Sequence, residues 1–134
     1  MNMRKRAGNC PVFFGSTIDG ERTTGKYAGS LRETESGIVV RFSENGGETE
    51  VFLQGDSVRV IRRAESTGTY LFRKDKETEG KLVTPCGEIA IAVKTDLLSV
   101  KRTEKGVSVR IGYTAAFGGG SSRCEIMICA GENL

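Results

Sequence analysis

Turn chemistry recurs along this chain so often that almost every connection between extended runs has hairpin length. Asp19-Gly20, Gly46-Gly47, Gly55-Asp56 and Pro85-Cys86-Gly87 each fall between β-branched or alternating stretches. Runs at 11–18, 21–33, 37–44, 48–54, 57–64, 69–75, 78–84, 87–95, 97–103, 106–117 and 122–129 read as strands, some of them merging. No stretch carries a convincing helical period. Short connections throughout imply an antiparallel meander. Many strands without a covering helix close most naturally into a barrel, because closure removes exposed edges. The expected fold is all-β, an antiparallel up-and-down barrel of about eight to ten strands, with a β-sandwich as competitor. A length of 134 residues fits one domain, 1–134, with 1–9 as a flexible N-terminal arm.

The hairpins can be tested against one another, since a two-residue loop fixes register and directly opposed residues share a face. A loop at Gly55-Asp56 sets Leu53, Val51 and Thr49 against Val58, Val60 and Arg62. A loop at Gly46-Gly47 sets Val40, Phe42 and Glu44 against Leu53, Val51 and Thr49. Through Glu35-Ser36, Leu31, Gly29 and Tyr27 oppose Val40, Phe42 and Glu44. The Asp19-Gly20 hairpin then places Phe14 against Gly25, where the glycine makes room for the ring, and Val12 against Tyr27. In the second half, Leu82 opposes Ile89, so Ile89, Ile91 and Val93 face inward with Thr84 and Thr95. A turn at Glu104-Lys105 aligns Leu98 with Ile111 and Val100 with Val109, and carries Tyr113 inward. Parity breaks between Thr95 and Leu98, which predicts a bulge near Asp96. In the last strand Cys124, Ile126 and Ile128 face in.

This register sends one cation inward. In SVRVIRRA (57–64), Arg62 follows the valine face while Arg63 points to solvent. Tyr27, Glu44, Thr49 and Arg62 form a row at one end of an apolar interior. Glu44 and Arg62 stand roughly 10 Å apart at their backbones, a gap that two long side chains can close over a threonine. An inward arginine needs such a partner, because breaking a buried pair costs about 3–5 kcal/mol. The row is therefore either a self-satisfied bridge that plugs the barrel end, or a patch in which Arg62 holds a carboxylate or phosphate.

Several chemistries fall away. The sequence has no histidine, which removes Ser-His and Cys-His nucleophilic catalysis and the commonest metal ligand. Cys10, Cys86, Cys124 and Cys129 lack C-x-x-C spacing and read as reduced, packed thiols, so no metal and no cofactor is expected. No second inward carboxylate accompanies Glu44 for acid–base work. Gly118–Ser122 resembles a phosphate loop only in glycine content and reads as a flexible hairpin loop. Outward Arg22, Lys26, Arg32, Arg41, Arg59 and Arg63 read as a solvated face, because the aromatics mostly fall on the inner face, with Phe13 and Phe52 as exceptions, so nucleic acid is disfavoured. No apolar run has membrane-spanning length, and the basic start (Arg4, Lys5, Arg6) lacks a signal-peptide core; the expectation is a cytoplasmic protein.

From about Val12 to Cys129 the chain resembles the YwiB-like small bacterial β-barrels, a family of uncharacterised function. The matching pieces are TTGKY (23–27), FSEN (42–45), ETEV (48–51), VIRR (60–63), Phe72, TPCGEI (84–89), Thr95 and GVSVRIGY (106–113), in the family's order. The resemblance implies a calycin-like barrel of the lipocalin and fatty-acid-binding architecture. It also implies that Glu44, Thr49, Arg62, Thr84, Gly87 and Thr95 occupy the family's characteristic positions. The chain departs at Leu82, where the family often has an aromatic, and at Ala64, where a glycine is usual. The family brings no activity with it.

The leading expectation is a non-enzymatic barrel that binds a small anionic or amphipathic ligand, through Arg62, Glu44, Thr49, Tyr27, Tyr113, Thr84 and Thr95. A solid interior with Arg62 bridged to Glu44 would count against it. The alternative is a solid-barrel interaction scaffold or homodimer that uses its outer surface.

Overall fold

The computed structural model describes residues 7–44 and 46–131. Ten strands follow in order: β1 (Ala7–Ile18), β2 (Glu21–Thr34), β3 (Gly37–Glu44), β4 (Gly47–Gln54), β5 (Ser57–Arg63), β6 (Thr67–Arg73), β7 (Lys76–Thr84), β8 (Gly87–Thr103), β9 (Gly106–Phe117) and β10 (Gly120–Gly131). Each pairs antiparallel with its sequence neighbours, and β10 returns to β1 to close the barrel. No helix occurs among the described residues, so none is long and apolar enough to cross a membrane. Ala7–Asn9, assigned to the expected N-terminal arm, instead pair with Ser30–Arg32. Residues 1–6 lie outside the described residues.

Most of the register follows from turn chemistry. Asp19 and Gly20 both take positive φ (49° and 88°), the two-residue turn whose twist matches the flanking strands. The expected pairs across β1–β2, β4–β5, β7–β8 and β8–β9 all form. A bulge separates Thr95 from Leu97, at the predicted place. It reverses the parity of β8, so that Ile91 and Val93 face the interior before it, and Leu98 and Val100 after it.

Two hairpins differ from expectation: among the described residues the β2–β3 ladder ends at Gly29–Phe42, short of the expected Tyr27–Glu44 pair, and the β3–β4 register is shifted. Glu44 pairs with Gly47, and Val40 with Val51, not Leu53. The turn therefore closes at Gly46 (φ +72°), with Gly47 already inside β4. Gly47 is required by the ladder and not by the turn: a Cβ there would stand 2.8 Å from the Arg63 carbonyl oxygen. The shift is two residues, so every side chain keeps its face while its partner changes. The expected flexible loop at 118–122 is also tighter. Gly118 and Gly119 make a two-residue turn at φ 58° and 84°, and Gly120–Ser122 belong to β10.

The waist of the barrel is filled by its own side chains. Val12, Phe42, Val60, Phe72, Ile111 and Ile128 are at most 2% exposed, contributed by strands from all round the wall. Each such residue stabilises the fold by about 1.5–3 kcal/mol relative to exposure. Towards the ends the packing opens. Ile18, Ile89 and Phe117 face inward by strand parity, yet they are 53%, 38% and 52% exposed. Ile89 is uncovered because β8 outruns β9, whose ladder with it starts only at Ala92. The interior is thus a packed middle with a cup at each end.

Candidate functional site

The first cup lies at the end bounded by the β1–β2, β3–β4, β5–β6, β7–β8 and β9–β10 turns. Arg62 Nη2 donates to Glu44 Oε1 at 2.6 Å. The two residues are not level: Thr49 opposes Arg62, whereas Glu44 opposes Gly47, one step nearer the rim. With no side chain on Gly47, Arg62 reaches Glu44 past Thr49, which is buried beneath the pair. The guanidinium also lies over the Phe14 ring, 5.0 Å from its centroid, and so spans from β5 towards β1. Arg62 is directed inward as predicted but is not a buried cation. Its side chain is 42% exposed and that of Glu44 is 22% exposed. Glu44 Oε2 is nonetheless covered and has no hydrogen-bond partner among the described residues.

Tyrosines complete the polar side. The Tyr27 ring folds back along its own strand over Gly25, where a Cβ would collide with its ring and hydroxyl. The space expected for Phe14 is thus taken by Tyr27, whose ring stacks on Phe42 at 5.3 Å. Phe14 tilts against Phe42 instead. Tyr70 repeats the device over Gly68. Gly68 opposes Arg62, so the Tyr70 ring lies beside the guanidinium. Burial raises the Tyr70 hydroxyl above its ordinary pKa, an effect that the Arg62 charge opposes. Tyr113 stands on the far wall against Phe72, at 4.7 Å, and opposite Cys124. Burial pushes both the Tyr113 hydroxyl and the Cys124 thiol up.

The predicted site residues therefore separate into three groups. Arg62, Glu44 and Thr49 come together, with Tyr27 joined to them through Phe42 and Tyr113 on the opposite wall. Thr95 lies deeper, 1% exposed, opposite Tyr113, and its Oγ1 has no partner among the described residues. Thr84 does not belong to the cup. Its hydroxyl donates to the Gly87 carbonyl and accepts from the Cys86 amide, closing the β7–β8 turn. Tyr70 is absent from the sequence-based set, although Gly68-x-Tyr70 repeats the Gly25-x-Tyr27 pattern.

Around the rim, the polar arc of Arg62, Glu44, Tyr27 and Tyr70 faces an apolar arc of Ile18, Phe117, Ile89 and Leu82. The strand order places β2 to β6 on one side and β7 to β10 with β1 on the other. The cup at the opposite end is different in character. It encloses about 550 Å³ between Ile38, Leu53, Val58, Leu98 and Val100, with Lys74 and Arg102 at its edge. Arg102 is bridged to Glu33 at 2.7 Å. No cluster of metal-ligating side chains occurs among the described residues.

On the outer wall Glu50 is buried, a residue that strand alternation alone assigns to solvent. It opposes Arg41, which donates to it at 2.6 Å, and Arg63 donates to its other oxygen. The paired guanidinium groups hold its carboxyl below the ordinary glutamate pKa. Two cations of the expected basic face are thereby committed to one internal anion.

Residues 15–128 match the family described as Domain of unknown function (DUF1934). The chain belongs to this family. Among solved structures, the DUF1934 fold of this chain is similar to that of the ywiB protein from Bacillus subtilis. The two are 16% identical, with a TM-score of 0.84 over 97% of this chain and 96% of that one. At that identity the likeness establishes the barrel and nothing of its chemistry. No curated protein matches the sequence. The family is uncharacterised, so a functional reading rests on the cup itself.

Proposed function

We propose that this DUF1934 barrel is a calycin-like, cytoplasmic, non-enzymatic binder of a small anionic amphiphile, held in the cup around Arg62. One observation carries the reading. Of the five N–H donors on the Arg62 guanidinium, the hydrogen bond found among the described residues engages one, to Glu44, while 42% of the side chain remains open. A carboxylate or phosphate suits the unspent donors, with bidentate geometry available. The ligand's apolar body lies on Ile18, Phe117, Ile89 and Leu82, and the tyrosines border its head group. Glu44 Oε2, covered and without a donor among the described residues, accepts from a ligand hydroxyl or a water. Thr49 and Tyr113 shape the floor. Thr84 serves the turn and Thr95 the deeper packing.

The test is native mass spectrometry of freshly purified protein, followed by titration with dodecyl phosphate and with dodecanol. Retained mass, and at least a roughly tenfold preference for the phosphate that Arg62→Met abolishes, is the expected result. Equal binding of the two probes, or binding of neither, overturns the reading. A second reading, an interaction scaffold, is favoured by the filled waist, which serves a rigid outer wall as well as it serves a cup. Self-association in sedimentation velocity together with no retained mass would select it.

A further inference from the structure

Tyr70 is held in a slot that two glycines make. Its ring folds back along β6 over Gly68, where a Cβ would stand 2.9 Å from both Cε2 and the hydroxyl oxygen. Gly80 of β7 leaves room at the side: a Cβ there would come within 3.3 Å of Tyr70 Cδ1 and 2.9 Å of the Thr69 carbonyl oxygen. Phe72 stacks on the ring, with centroids 6.3 Å apart. Backbone and apolar neighbours thus fix the half-buried ring, while its hydroxyl makes no hydrogen bond among the described residues. A tyrosine taken out of water normally finds such a partner.

The slot decides where that hydroxyl stands. Tyr70 opposes Val60, but Gly68 opposes Arg62, so folding the ring over Gly68 carries the hydroxyl to the level of the arginine. β6 adjoins β5, whereas Glu44 and Phe14, the other neighbours of the guanidinium, belong to β3 and β1. The phenol therefore borders a side of Arg62 that neither of them takes. Burial outweighs the Arg62 charge and keeps its proton on at neutral pH, so it stands there as a donor. Tyr113 and Cys124, the other titratable groups nearby, oppose each other on β9 and β10. A carboxylate presents two oxygens in one plane, and a bidentate guanidinium uses both. A phosphate monoester presents three in a tetrahedron, which leaves one outside that plane for a second donor.

We propose, resting on the anion-binding reading above, that Tyr70 is the specificity-determining residue of the cup. Arg62 grips two oxygens of the head group and the Tyr70 hydroxyl donates to a third. The ligand class is thereby narrowed to a tetrahedral oxyanion on an apolar chain, a phosphate monoester and not a fatty acid.

The test is titration calorimetry of the full chain with dodecyl phosphate, dodecanoate and dodecanol, in wild type and in Tyr70→Phe. Wild type should hold the phosphate at least about tenfold more tightly than dodecanoate, and dodecanoate more tightly than dodecanol. Tyr70→Phe keeps a ring in the slot, and thermal melting checks that the fold is intact. It should weaken phosphate binding about tenfold while moving dodecanoate by less than about twofold. The substitution changes no charge, so the greater charge of the phosphate cannot produce that difference. A phosphate-to-carboxylate ratio that Tyr70→Phe leaves unmoved overturns this inference, as do equal losses for the two anions. The anion-binding cup survives both of those results as long as each anion outbinds dodecanol. Where neither does, the cup reading fails and takes this inference with it.

Discussion

Arg62 and Glu44 meet at 2.6 Å although they lie on non-adjacent strands and at different levels of the barrel. The strand between them offers Thr49 and then Gly47, and the missing side chain at Gly47 leaves the path open. Because both partners reach solvent, the pair is expected to be worth far less than a buried bridge. A double-mutant cycle with Arg62→Met and Glu44→Gln should give a coupling of about 1 kcal/mol or less by urea denaturation. A coupling near the roughly 3–5 kcal/mol of a buried pair would show the cup to be closed in solution.

Gly25 is tied to Tyr27 in the same testable way. Gly25→Ala should displace the ring and cost about 1–3 kcal/mol, as overpacking does. In a Tyr27→Ala background the same change should be near neutral, or stabilising, because alanine loses less entropy than glycine on folding. The midpoint of denaturation in the four proteins measures it. Equal costs in both backgrounds would dissociate the glycine from the ring.

Glu50 sets an acid limit. Its folded-state pKa is held below the ordinary value of about 4.3, chiefly by the hydrogen bond from Arg63. A depressed folded pKa contributes stability that is fully present above the unfolded pKa and disappears as pH falls through the folded one. Wild type should therefore lose stability below about pH 4.3 more steeply than Glu50→Gln. At neutral pH that variant should be the weaker protein by about 1–3 kcal/mol, since a hydrogen-bonded charge is lost between two arginines. Parallel acid-denaturation curves would remove Glu50 from the account.

The alkaline limit has the opposite sign. Burial raises the Tyr113 hydroxyl above its ordinary value of about 10. The folded state then keeps a proton that the unfolded chain releases, so stability falls as pH rises from about 10 towards the folded pKa. Ultraviolet titration of the folded protein should show tyrosines still neutral after the unfolded chain has ionised, Tyr113 the last of them and Tyr70 before it. Tyr113→Phe should remove that late step and flatten the alkaline decline.

The sequence made most of the architecture legible because hairpin register is a local property. The valines of β3, β4 and β5, the bulge beside Asp96 and the inward set of β10 all follow from turn position and period-two parity. The β3–β4 hairpin misled because two glycines adjoin, and parity cannot separate registers that differ by two. That slip cost one thing: Glu44 and Thr49 were placed in one row. Tyr70 escaped because the three residues Ala64-Glu65-Ser66 between β5 and β6 set no two-residue register, although Phe72 shares its face. Glu50 escaped for a different reason. Its burial is produced by two arginines lying over it on the convex wall, and alternation carries no information about that. Whether strands stay paired along their whole length, as β2 and β3 do not, is likewise decided by curvature and not by residue type.

The packed waist has a kinetic meaning. Val12, Phe42, Phe72 and Ile111 block the axis between the two ends, so the protein is a pair of dead-end vessels set back to back and not a conduit. Whatever enters beside Arg62 must leave by the same door. Its residence time is governed by that one doorway, and traffic at the far end, under Leu53 and Val100, neither helps nor hinders its departure.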